Sequence, residues 1–150
     1  MSPAHIPVEL RRQVRADADG RCGYCQTLEV LIGMPLEFEH LHPEAHGGLT
    51  ARENLWLACT RCNDFKGDRI DAVDPETGET VPLFNPRTQI WIEHFAWSPD
   101  GTLIVGRTPI GRATAIALRL NNEHIIVARG FWVEAGWWPP DERPGLRTED

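Results

Sequence analysis

Two Cys-x-x-Cys pairs, Cys22/Cys25 and Cys59/Cys62, flank a segment that carries Glu39-His40 and Asn54, and Asn63-x-x-Lys66-Gly67 continues directly from the last cysteine. Chemically, this joins thiols at metal-ligand spacing to a histidine with a carboxylate beside it. An imidazole with a pKa of about 6.5 can accept a proton from water near neutral pH, and a neighbouring carboxylate can hold its ring in a useful tautomer. The cysteine and histidine segments interleave, so a metal held by the first would hold the second in place.

Four thiolates suit Zn²⁺, which accepts a closed tetrahedral shell and imposes no geometry of its own. Two residues between the members of each pair let both sulfurs of a turn point inward. The 33 residues between Cys25 and Cys59 exceed what a simple zinc ribbon needs, so that stretch houses something else. A closed sulfur shell leaves no position for water. The expected zinc is therefore structural, with an apparent binding energy of roughly 10–16 kcal/mol in comparable small sites. Disulfides or a redox pair are the alternative use of these cysteines.

Those segments need elements to position them. Pro7 to Ala18 reads as a helix, with Pro early, apolar Val8, Leu10 and Val14, and Gly20 just beyond. Leu36 to His40 alternates apolar and charged residues like a half-exposed strand, and Pro43 stops it. Gly47-Gly48 marks a loop, Asn54 to Ala58 returns to a core, and Thr60 to Lys66 should be a short helix closed by Gly67. Neighbouring strand residues point to opposite faces. For Glu39 and His40 to serve one site, the backbone is expected to leave the pleat there.

Farther along, Asp74 to Gly78 is a turn signal and Thr80 to Phe84 a short extended segment. Gln89 to Ser98 and Leu103 to Gly106 flank Pro99-Asp100-Gly101 as a β-hairpin. Two helices are expected, Ile110 to Leu120 and Asn122 to about Ala135, the second capped by Asn121. The organisation read from these signals is a core over 1–70, an extension of hairpin and helices over 71–138 packing on it, and a flexible tail over 139–150. The fold class is α+β.

A chain of 150 residues with 41% hydrophobic and 25% charged residues is globular in composition. It shows no apolar run of membrane-spanning length and no secretory signal, so the reading is cytoplasmic, where thiols stay reduced. The net charge is −7. Residues 1–70 carry eight basic against ten acidic side chains, and residues 71–150 seven against twelve. Fourteen of the fifteen basic residues are arginine, which suits bidentate phosphate contacts. Because duplex affinity comes largely from neutralising phosphates, weak binding is expected unless the arginines cluster on one face, with binding assisted by a partner protein or selective for structure as the alternatives, and a homodimer would serve two-strand cutting.

The array Glu39-His40-x-x-Pro43, Gly47-Gly48, Glu53-Asn54-Leu55, Cys59-x-x-Cys62-Asn63 and Lys66-Gly67 resembles the HNH endonuclease family in its zinc-containing branch. The resemblance covers residues 20 to about 70. It implies a ββα-metal core that hydrolyses phosphodiester bonds, leaving 5′ phosphates. His40 would be the general base. Glu39 and Asn63 would ligate one divalent cation, Mg²⁺ or Mn²⁺ in view of these oxygen ligands. Asn54 would brace the loop.

Lys66 and Arg69 are candidate phosphate contacts, or complement the helix dipole. His42 is a candidate ligand or substrate contact, since it shares a face with His40 if the pleat persists. His5, His46, His94 and His124 read as surface or packing residues, and the six tryptophans mostly as core. Arg112 and Arg119 read as a solvated helix face. The implied function is a DNA endonuclease that nicks. The alternatives are a non-catalytic zinc-held nucleic-acid-binding module, and a nuclease selective for RNA or for nucleic-acid structure.

Overall fold

A computed structural model describes residues 5–140. The chain forms two compact units that divide between Ile70 and Asp71. Residues 141–150, most of the expected tail, lie outside the described residues.

In the first unit, α1 (Val8–Ala18) and the short α2 (Glu29–Ile32) precede β1 (Glu37–His40), β2 (Leu55–Ala58) and α3 (Thr60–Lys66). Helix α1 ends at Asp19 in the left-handed region, and its N–H closes the last turn onto Ala16 and Arg15. Strands β1 and β2 pair antiparallel, with Glu39 opposite Trp56 and His40 opposite Leu55. α1 packs on β2 and α3 on β1. Val14, Ala18, Tyr24, Leu36, Leu55, Leu57 and Ala58 are buried around this small sheet. α3 spans the expected residues and stops at Gly67, whose φ of 54° favours glycine. The architecture is α+β with a ββα core.

The pleat persists through His40, contrary to the expected departure. Glu37 and Glu39 meet residues of α3, whereas Phe38 lies under the Arg15 guanidinium of α1 at 5.3 Å and His40 reaches Thr50. The strand ends before His42, so His42 does not share a pleat face with His40.

The second unit holds two antiparallel hairpins and two longer helices. β3 (Asp71–Val73) pairs with β4 (Thr80–Pro82), and β5 (Phe95–Trp97) with β6 (Ile104–Gly106). α5 (Pro109–Ala117) packs on β6, β3 and β4, and α6 (Glu123–Glu134) follows. Three sequence expectations are corrected here. Residues 91–94 form a helical turn, α4, instead of extending the hairpin, because Ile90, Trp91 and Ile92 break strict alternation and a turn stacks Trp91 on Phe95 at 5.0 Å. The cap of α6 is Asn122, which accepts from the His124 and Ile125 N–H groups, while Asn121 brackets the backbone of Ile104 at 2.8 Å on both sides. Arg112 is no solvated stripe, because its guanidinium grips Asp74 at 2.9 Å through two nitrogens. Trp91, Trp97, Trp132 and Trp138 form one aromatic cluster with neighbouring rings 5.0–5.2 Å apart, whereas Trp137 is exposed.

Among the described residues, no helix is long and apolar enough to cross a membrane.

Candidate active site and metal centre

The four cysteines converge in the first unit, and all of their sulfurs lie within 4.8 Å of one another in the interior. The Cys22–Cys25 turn is closed by Cys22 N–H donating to Thr27 O at 3.0 Å and is tied to β2 by Gly23 N–H donating to Leu57 O at 2.9 Å. In the second turn Cys59 caps α3, with its sulfur accepting from Cys62 N–H at 3.4 Å. All four are free thiols, and Cys25 and Cys59 sulfurs sit 3.7 Å apart. Burial pushes Cys22 well above the usual thiol pKa, while hydrogen bonds from Cys22, Cys59 and Cys62 pull Cys25 well below it. Thiols in one dry pocket cannot all ionise without a cation among them. Zn²⁺ supplies that charge, and this donor set fits it.

Beside this cage, the loop between β1 and β2 is fixed by Asn54. Its amide nitrogen donates to His42 O at 3.0 Å and Leu49 O at 2.8 Å, and its oxygen accepts from His42 N–H at 2.8 Å. Gly48 is required by close approach, since a Cβ there would fall 1.7 Å from His42 O. The loop delivers Thr50, whose hydroxyl lies 2.9 Å from His40 Nε2, and Glu44, whose carboxylate lies 3.9 Å from the same nitrogen. His40 is half-buried at the end of β1. His42 donates from Nε2 to His46 O at 3.0 Å, and His46 in turn to Asp68 O at 2.9 Å, which pins the loop to the chain beyond α3.

The two expected cation ligands are engaged with different partners. Glu39 is buried and faces Lys66, whose ammonium lies 2.9 Å from its Oε1; both side chains are 3% exposed or less. Lys66 Nζ also donates to the carbonyls of His40 and Leu41 at 3.4 Å. Burial raises the Glu39 pKa, opposed by the Lys66 charge and the Tyr24 hydroxyl, and burial likewise pushes Tyr24 well up. Asn63 instead donates to Glu37 Oε1 at 2.8 Å, and Thr60 donates to the other oxygen of Glu37 at 2.8 Å.

A hydrated divalent ion needs open positions, and both oxygens of Glu39 are sealed from solvent. In this arrangement such an ion does not fit on Glu39. Of the expected phosphate contacts, Arg69 is exposed and Lys66 is interior.

Sequence reasoning did not single out Thr50, Glu44, Tyr24 or Glu37. For Glu37 a signal existed, because it sits two residues before Glu39 and so shares its strand face. The partnership of Lys66 with Glu39 also had one, since Lys66 is the chain's single lysine.

Residues 22–69 match the family model described as HNH endonuclease. No curated protein and no solved structure matches the chain. The matched segment spans both cysteine pairs and the whole β1–loop–β2–α3 unit, so over residues 22–69 the chain is similar to HNH endonucleases and carries four clustered cysteines there.

Proposed function

We propose that the protein is a metal-dependent HNH endonuclease that hydrolyses phosphodiester bonds of DNA. The observation that carries this reading is the placement of His40. Its ring is half-buried at the end of β1 and meets the hydroxyl of Thr50 on a loop braced by Asn54, inside the segment that matches the family. From that position His40 would take a proton from water as the water's oxygen attacks phosphorus. The P–O3′ bond breaks with its electron pair going to O3′, which takes a proton from solvent, leaving a 3′ hydroxyl on one fragment and a 5′ phosphate on the other. The exposed Arg69 would hold a backbone phosphate, and His42 is a further contact on the same loop.

Mg²⁺ or Mn²⁺ is the proposed catalytic cofactor, Zn²⁺ the structural one. The chemistry of the first is to stabilise negative charge at phosphorus and on the departing oxygen. Its admission to Glu39 and Asn63 requires Lys66 to give way. One such site cuts one strand, so nicking is the proposed product, and a double-strand break would take a homodimer or two successive events. With a net charge of −7, a partner protein that supplies affinity for the duplex is part of the reading. The proposed setting is the cytoplasm, where the thiols remain available to zinc.

The sealed Glu39–Lys66 pair favours a second reading, a zinc-held module that binds nucleic acid without cutting it. One experiment separates them. Supercoiled plasmid is incubated with the purified protein and Mg²⁺ or Mn²⁺, beside His40→Ala and an EDTA control. Metal-dependent nicking that disappears in the variant, with zinc content unchanged, is the expected result. If a folded, zinc-bound wild type shifts the plasmid on a gel but never nicks it, the binding module is the better description.

A further inference from the structure

Helix α6 is apolar on two sides at once. One side turns into the second unit, where Ile125 is buried, the Arg129 guanidinium donates to Thr102 O at 2.9 Å and Leu120 O at 2.7 Å, and Trp132 lies 5.2 Å from Trp138. On the other side Val127 is 60% and Phe131 67% exposed, between exposed His124 and Glu134. These four positions follow one another at three- or four-residue steps, so they form one stripe along the helix. A helix face that met only water would carry polar side chains at the centre of that stripe. We infer that the stripe is a homodimer contact, in which α6 of one copy packs antiparallel on α6 of a second copy about a twofold axis level with Arg129. The inference goes beyond the nuclease reading and holds whether or not the protein cuts.

The symmetry of the stripe commits it to its own copy. A twofold contact is isologous, so that if one residue meets another the reverse contact also forms. Val127 and Phe131 lie two positions either side of Arg129, and His124 and Glu134 five positions either side. An antiparallel copy centred there sets Val127 against Phe131 twice, apolar on apolar. It also sets His124 against Glu134 twice, a ring N–H donor against a carboxylate. A parallel copy in register would instead set Glu134 against Glu134.

The helix dipole and the backbone agree with this pairing. Glu134 stands in the last turn of α6, where a carboxylate opposes the dipole of its own helix, and among the described residues it makes no ion pair. Beside an antiparallel copy it lies near that helix's N-terminal end, where the dipole favours it. His124 has only Glu123 of its own turn as a near carboxylate, at 3.9 Å between two exposed side chains. Gly130 flanks the stripe, and a Cβ there would meet nothing within 4 Å, so nothing inside the unit requires glycine at this position. Glycine weakens a helix interior, yet its lack of a side chain lets a second helix approach closely. A helix of 12 residues is about 18 Å long. Its contact falls below the roughly 800 Å² per partner of a standard interface, so the dimer is reversible, with a dissociation constant on the order of tens of micromolar.

The test is sedimentation equilibrium of the full-length zinc-loaded protein across concentrations from about 5 to 500 µM, which bracket such a constant. Wild type should pass from monomer to dimer over that range. Phe131→Ser should raise the dissociation constant at least about thirtyfold. His124→Glu and Glu134→Lys should each raise it about three- to tenfold, since each places like charges or an unmatched pair across the contact. His124→Glu/Glu134→Lys should return it to near the wild-type value, because the reversed pair again carries opposite charges. All of these side chains are exposed, so circular dichroism and zinc content should not change. A wild type that stays monomeric throughout overturns the inference and leaves the stripe to another part of the chain or to a different protein. A dimer indifferent to Phe131→Ser overturns it as well. If Phe131→Ser fails to fold, the charge-reversal series decides, because single variants that dimerise like wild type, or a double variant no better than the singles, exclude this antiparallel register.

Discussion

The side chain of Asn54 holds the backbone of His42 at both ends of the residue, accepting from its N–H at 2.8 Å and donating to its C=O at 3.0 Å across a separation of twelve residues. An amide can do this because it carries a donor and an acceptor on one rigid plane. A third bond, to Leu49 O, reaches the far side of the same loop. The chain between β1 and β2 is therefore closed on itself by one side chain, and the loop that orients His40 inherits its shape from a residue whose three bonds all go to loop backbone.

Replacing Asn54 with Ala removes all three bonds. At about 0.5–1.5 kcal/mol net for each, the first unit should lose roughly 2–4 kcal/mol of stability. Nicking should fall much further than stability, since the loop that orients His40 loosens. Urea denaturation followed through the zinc-bound unit, beside a plasmid assay, tests this. A variant that unfolds earlier yet cuts at the wild-type rate would show that the brace has no part in placing His40.

Gly48 makes the same loop sensitive to a single methyl group. A Cβ would meet His42 O at 1.7 Å, and the obstacle is backbone that Asn54 has fixed, not a side chain that can swing aside. Gly48→Ala should therefore either open the Asn54 brace or lose the fold. With the brace opened, cleavage drops at unchanged zinc stoichiometry, because the cysteines lie on other segments; with the fold lost, zinc is lost with it. Full activity with an intact thermal transition would mean the loop has a second conformation of similar energy.

Much of the first unit was legible because its signals are local. Cysteine spacing, Gly67 at the end of α3 and the alternation of Glu37 to His40 each state a backbone requirement within a few residues, and the fold follows them. What could not be read is long-range pairing. Nothing near Lys66 in sequence says that it turns inward to a carboxylate 27 positions earlier, and its lone occurrence in the composition was the one available hint. β3 was missed because Asp71–Val73 is too short to show periodicity and becomes a strand only by pairing with Thr80–Pro82. At 91–94, tertiary stacking of Trp91 on Phe95 overrode a local preference for extension.

Removing the structural metal should separate the two units. Without Zn²⁺, charge in the buried thiol cluster is uncompensated and the turns at Cys22 and Cys59 lose their common anchor. The second unit has its own core around Phe84, Phe95 and Ile104, with no cysteine in it. Chelation verified by metal analysis should abolish protease resistance over residues 1–70 while the aromatic cluster of the second unit keeps its near-ultraviolet circular dichroism. Retention of a sharp melt by the whole chain after complete removal would contradict a structural role for the cage.

Asp74 gives the second unit a pH dependence of known sign. Its carboxylate accepts two bonds from Arg112 at 2.9 Å, one from Glu76 N–H and one from the Thr77 hydroxyl. These partners, the Arg112 guanidinium first, hold its pKa well below the ordinary aspartate range. A carboxylate with a depressed folded pKa adds stability that is fully present above its unfolded value, about 3.9, and is lost as pH falls from there through the folded value. Asp74→Asn should thus destabilise the unit at pH 7, with the gap to wild type narrowing steadily below about pH 4. Tryptophan emission reports this unit, because Trp91, Trp97, Trp132 and Trp138 all belong to its cluster. Urea midpoints of both proteins from neutral to acid pH are the measurement. A gap that stays constant across that range would mean that Asp74 is ionised to the same extent in the folded and unfolded chain, so that its grip on Arg112 contributes through shape and packing alone.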